Sequence, residues 1–140
     1  MVNFPRVLFA AICVASQSQC IAADPAPKPR TAKVARGLAV YQDLCINCHQ
    51  IDKNGIGPMH RGVVGRSVGK APGYAYSSAL AGSKLVWTPV QLNRWLTDPE
   101  ALIPGQKMGV KLADANDRSD VIAYLASVSS QRKKAVFEAK

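Results

Sequence analysis

The sequence predicts an all-α fold: three main helices and one short helix, joined by long loops. Three observations carry that reading. Apolar residues recur at helical spacing in three separated stretches, glycine and proline crowd into the segments between them, and no stretch alternates as a strand would. No internal repeat is present. A chain of 140 residues that is 48% hydrophobic and 19% charged has room for one ordinary globular domain, and its 6% aromatic content leaves the core short of bulk.

Residues 1–23 read as a secretory signal. Arg6 supplies the positive start, Val7 to Ala15 the apolar run, and Ile21-Ala22-Ala23 the small residues before a cut at Asp24. The run is too short to span a bilayer, and polar Ser16-Gln17-Ser18-Gln19 follows it at once, which argues against a retained anchor. Gln19 before Cys20 argues against lipoprotein processing. Cleavage removes Cys13 and Cys20, so no disulfide framework remains, and loss of Arg6 lowers the formal charge from +9 to +8. A basic, exported, periplasmic domain is steered toward acidic proteins or, weakly, an anionic membrane surface. Nucleic acid is set aside, because an exported chain does not meet it, and a monomer is expected.

Residues 24–34, with their alternating prolines, are expected to form a flexible leader. The folded domain is expected over 35–130. Its first helix carries Leu38, Tyr41, Leu44 and Cys45 on one side, with Gly37 in its interior, where glycine costs about 1 kcal/mol relative to alanine unless another helix crosses closely.

That helix runs into Cys45-Ile46-Asn47-Cys48-His49. A Cys-x-x-Cys pair alone is shared by zinc sites, thiol redox sites and haem attachment, and the adjacent histidine decides among them. Zinc ligation would want other spacing, and a thioredoxin-like site would want a strand-helix-strand pattern that is absent. Two thiols on one turn can each form a thioether to a haem vinyl group, and the next histidine then lies under the iron. The sequence thus implies one covalently attached haem c, which would also fill the core.

Residues 50–72 contain Gly55, Gly57, Pro58, Gly62, Gly65, Gly69 and Pro72, a density that argues for a loop wrapping the cofactor. Tyr74 to Leu80 reads as a turn into a short helix that Gly82 stops. Thr88-Pro89-Val90-Gln91 starts the next helix, with threonine as N-cap, proline at the first position and a capping-box glutamine. Leu92, Trp95 and Leu96 form its buried face, and Asp98-Pro99 ends it. Residues 101–113 read as loop again. Asp114 or Asp117 can cap the last helix, whose apolar stripe is Val121, Ile122, Leu125 and Val128. Residues 131–140, with Arg132, Lys133 and Lys134, are expected as a basic C-terminal tail.

Taken in order, Gly37 with Tyr41, C-I-N-C-H, G-I-G-P, G-V-V-G-R, G-Y-A-Y-S, Trp87, P-G-Q-K-M and D-V-I-A-Y-L resemble the class I c-type cytochromes, in the branch similar to mitochondrial cytochrome c and its small bacterial relatives. The resemblance spans about Ala35 to Ser129. It implies that Cys45 and Cys48 hold the haem, that His49 and Met108 bind its iron, and that the Pro58 carbonyl accepts from the other His49 ring nitrogen. It implies propionate contacts for Arg66, Tyr76 and Trp87. Trp95 stands where mitochondrial relatives have a tyrosine that reaches the methionine sulfur; an indole N–H only donates, so that bond is expected altered or lost. Leu80 replaces an asparagine and Gln106 a threonine.

Met59 is the rival sulfur, but it lies beside the proline expected on the His49 side. His60 reads as a loop or surface histidine. With both axial positions filled, the resemblance implies a one-electron carrier rather than an enzyme, shuttling between respiratory or dehydrogenase partners and raised in potential by the thioether. Lys53, Lys70, Lys107 and Lys111 are candidate steering charges. The rival readings are a haem enzyme or gas binder with an open sixth site, and a haem subunit of an exported dehydrogenase.

Overall fold

The computed structural model describes residues 28–138, and side chains within 28–130. The expected signal and the first part of the leader fall outside the described residues. Five helices follow one another: α1 (Pro29–Leu44), α2 (Ser78–Ala81), α3 (Pro89–Thr97), α4 (Pro99–Leu102) and α5 (Ala115–Glu138). Among the described residues, the sole strand-like feature is an isolated antiparallel bridge between Ser67 and Val86.

Two boundaries differ from expectation. Helix α1 opens at Pro29, inside the stretch expected as leader, because proline is tolerated in a first turn whose N–H groups have no helical partner. The Lys33 ammonium donates to Ser119 Oγ and ties that early turn to α5. Helix α5 continues to Glu138, through most of the segment set apart as a tail; nothing from Ala113 onward is proline or glycine to stop it.

Helices α1 and α5 cross at Gly37. A Cβ there would lie 1.9 Å from the Asp120 carbonyl oxygen and 3.0 Å from Tyr124 Cβ, so only glycine lets the backbones approach this closely. Arg36 Nε closes the crossing with a 2.6 Å ion pair to the buried Asp120. One turn on, Tyr41 is 1% exposed, and its ring lies 5.2 Å from that of Tyr124. Leu92, Leu96, Val121 and Leu125 join the same core, each burial contributing about 1.5–3 kcal/mol.

The caps are short-range choices. Thr88 Oγ1 accepts from Gln91 N at 3.1 Å, but Gln91 Oε1 is buried without a partner, so half of the capping box forms. Asp98 ends α3 and caps α4, accepting from Ala101 N at 3.2 Å; this adds a helical turn to the segment expected as loop. Asp114, not Asp117, caps α5, taking the N–H groups of Asn116 at 2.6 Å and Asp117 at 3.0 Å.

The long segment between α1 and α2 is irregular but tied down. Gly57 N donates to Cys48 O, His60 N to Gln50 O and Arg61 N to Ile51 O, at 2.8, 3.0 and 2.7 Å. Farther on, Gly69 holds φ +70° with its Cα against Leu80; a Cβ would meet the Leu80 carbonyl at 2.3 Å.

Candidate haem site

These elements surround a cavity of about 380 Å³. The end of α1 and the turn after it bring Cys45, Cys48 and His49; the tied loop brings Pro58, His60 and Arg66; the segment into α2 brings Tyr76 and Leu80. Trp87 precedes α3, Trp95 lies on it, and Met108 comes from the loop between α4 and α5. Leu92, Leu96, Leu112, Val121 and Leu125 complete an apolar lining. All eight residues singled out from the sequence, Cys45, Cys48, His49, Pro58, Arg66, Tyr76, Trp87 and Met108, therefore meet at one place.

His49 is set by three neighbours. Its Nδ1 lies 2.8 Å from the Pro58 carbonyl oxygen, which fixes the proton on that nitrogen and leaves Nε2 with its lone pair. A Cβ on Gly57 would come within 2.2 Å of His49 Cε1, so the loop backbone is pressed against the ring. Tyr41 OH donates to the His49 carbonyl at 2.7 Å, coupling the site to the helix crossing. Burial holds the His49 pKa below its ordinary 6.5, opposed by the Pro58 bond, so the imidazole is neutral and able to bind a metal.

Met108 is held differently. Trp95 Nε1 donates to its sulfur at 3.1 Å, so the indole keeps the bond expected altered or lost when tyrosine is absent. Gln106 Oε1 accepts from Met108 N, and Gln106 Nε2 donates to Glu100 at 3.3 Å. Glu100 also accepts from Gly105 N at 2.9 Å, and Lys111 Nζ pairs with Asp98 at 2.7 Å. Met59 lies outside the cavity lining; its backbone is bound by Asn54 and Arg66.

Around the rest of the wall, the Arg66 guanidinium donates to the carbonyls of Met59 at 2.9 Å and Arg61 at 3.2 Å. Tyr76 OH accepts from Ala71 N at 3.2 Å, and the Trp87 ring meets Trp95 edge-on at 5.2 Å. His60 lies in the loop, as expected, but it turns inward from the surface: the residue is half-buried, its Nδ1 is buried, and its ring stacks on His49 with centroids 4.1 Å apart. The signal was present, a polar residue among the apolar positions of the wrapping loop, but spacing alone does not say which way a loop side chain turns.

The donor set fits a haem. Cys45 and Cys48 are free thiols, and burial, followed by the charge of Cys48, pushes Cys45 up to about 11; the two would each be available to form a thioether to a haem vinyl group. An imidazole nitrogen and a thioether share the cavity with them, and the rest of the lining is mainly apolar.

An all-α wrap with a Cys-x-x-Cys-His turn opening into an apolar cavity defines a haem-c-binding domain. Residues 34–129 match the family model described as cytochrome c. Over 100 residues the chain is 41% identical to cytochrome c2 of Rhodomicrobium vannielii, covering 69% of this chain and 79% of that protein. Cytochrome cH from Methylobacterium extorquens superposes with a TM-score of 0.65 at 42% identity, covering 67% of this chain and 97% of that one. Ferricytochrome c2 from Rhodopseudomonas palustris gives 0.63 at 38%, covering 68% and 97%. The chain belongs to the cytochrome c family, as a small class I bacterial c-type cytochrome with one covalently bound haem c.

Proposed function

We propose that this protein is a periplasmic one-electron carrier, with Cys45 and Cys48 holding the haem and His49 and Met108 its axial ligands. The observation that carries the reading is that imidazole and thioether line one cavity, each with a partner fixing its position: the Pro58 carbonyl for His49, the Trp95 indole for Met108. When bound, the haem would supply a single redox-active iron held by His49 and Met108, so electrons would pass with no bond made to substrate. Each ligand is positioned before any electron arrives, which keeps the rearrangement between redox states small. Arg66, Tyr76 and Trp87 are assigned to the propionates, where a cation and two N–H or O–H donors offset carboxylate charge. Spectra in both redox states test the ligand set. A methionine-to-iron charge-transfer band in the ferric form, with a ferrous form indifferent to carbon monoxide, is expected; ready carbon monoxide binding would overturn it in favour of an open-site enzyme or gas binder.

The partner is an acidic redox protein met transiently. Leu44, Ile56 and Val110 are 50%, 78% and 37% exposed at the cavity's rim, where Lys107 is also exposed, so the rim combines apolar contact with positive charge. Lys53 and Lys70 add exposed cations, whereas Lys111 is engaged by Asp98. Such encounters are small in area and salt-sensitive. The second-order electron-transfer rate should fall as ionic strength rises, and a flat dependence would remove steering from the account. The periplasmic assignment rests on the signal-like residues 1–23 and is tested by release of the haem protein on osmotic shock.

A further inference from the structure

Of the two histidines in the chain, the proposed function uses only His49, yet His60 lies against it. The two rings are stacked with centroids 4.1 Å apart and planes inclined by 14°, and Tyr41 meets His60 at 5.7 Å and 60°. The backbone under His60 is pinned on both sides, through His60 N to Gln50 O at 3.0 Å and Val63 N to His60 O at 2.9 Å. Its Nδ1 is buried and has no hydrogen-bond partner, so no bond at that nitrogen sets the ring's direction. The ring is held by its faces and by the chain beneath it.

A hydrogen bond at one ring nitrogen leaves an imidazole one freedom. The bond from His49 Nδ1 to Pro58 O fixes where that edge points, and the Gly57 main chain bounds the ring at Cε1, which still leaves the plane free to rock away from that contact. A flat group against the ring's face removes that motion, since rocking would drive one ring into the other. We propose that His60 is a positioning residue for His49, its stacked ring fixing the plane in which Nε2 is presented to the haem. The inference rests on His49 as the proximal ligand. It uses the face of the His60 ring, not its proton.

The test compares His60→Leu, which removes the flat face, with His60→Phe, which keeps a ring and removes the nitrogens, each as purified ferric holoprotein. Electron paramagnetic resonance g values and the hyperfine shifts of the haem methyl protons report the orientation of axial ligand planes, which loss of general stability does not move in a folded sample. His60→Leu is expected to shift the largest g value outside the wild-type linewidth and to alter the spread of methyl shifts. His60→Phe is expected to restore both. Wild-type values in His60→Leu, or values in His60→Phe displaced as far as in His60→Leu, would overturn the proposal. Should His60→Leu not accumulate, His60→Met takes its place with the same expectations. The wild-type ferric spectrum separates the two levels: if it is not low-spin with histidine bound, the ligand assignment fails; if it is, only the role of His60 is at stake.

Discussion

The two ends of the proposed ligand pair, His49 and Met108, are built on opposite plans. His49 is five residues past the end of α1 and is fixed by backbone: the Pro58 carbonyl, the Gly57 main chain and its own carbonyl bound by Tyr41, with the His60 ring against its face. Met108 sits on an exposed loop laced by side chains, through Glu100 to Gly105 and Gln106, Asp98 to Lys111, and Trp95 to the sulfur. Backbone contacts inside a packed region yield only with the core, whereas exposed polar ties open singly and cheaply. The methionine end is therefore the one expected to release first under stress.

The harshest way to break this contrast is Gly57→Ala. Its Cβ would fall 2.2 Å from His49 Cε1 with no flexible side chain to yield, so a loss of about 3 kcal/mol, the upper end for overpacking, is expected in urea unfolding of the holoprotein. A near-neutral result would show that the histidine end is softer than described. Met108→Ala comes next. A loss of about 2 kcal/mol is expected, with the charge-transfer band gone, ferrous carbon monoxide binding gained and helical circular dichroism unchanged. Collapse of the fold instead would mean that the methionine loop carries structure as well as ligation.

Trp95→Phe sharpens the comparison at one bond. Removing the indole N–H from the 3.1 Å contact with sulfur is expected to cost about 1 kcal/mol, read as loss of the charge-transfer band at lower denaturant while the Soret band stays. The smallest effect is at Asp98, whose carboxyl is held below its ordinary 3.8 by Lys111 first and the Ala101 N–H next. A carboxylate with a depressed folded pKa stabilises above its unfolded value, and that contribution disappears as pH falls through the folded one. Asp98→Asn should therefore be less stable than wild type near neutrality, with the gap closing as pH drops below 3.8. A gap that is constant with pH would mean the Lys111 tie does nothing for the loop.

Much of this architecture could be read from local pattern because the forces that set it are local. Thr88 before Pro89 declares a helix start whatever surrounds it, and the interior Gly37 announces a close crossing. Other features depended on partners distant in the chain. Whether 29–34 is leader or helix turned on Lys33 reaching Ser119, and a solvated lysine looks the same in sequence. Trp95 could not be given its acceptor until α3 was placed beside the Met108 loop, and His60 could not be assigned a side until the wrapping loop was tied to Gln50 and Ile51.

By itself the sequence determined the attachment motif of Cys45, Cys48 and His49 and the order of the main helices, since helix periodicity, caps and ligand spacing are written within a few residues of one another; Pro58, Arg66, Tyr76, Trp87 and Met108 came from the family resemblance carried by the whole series of motifs. Tertiary structure alone decided how His49 and Met108 are held: which face of the loop carries His60, which donor reaches the sulfur, and which carboxylates lace the methionine segment. Those contacts join residues five to thirteen positions apart across loops and helix ends, outside any one repeating element. Their geometry is fixed by packing, to which no single stretch of sequence has access.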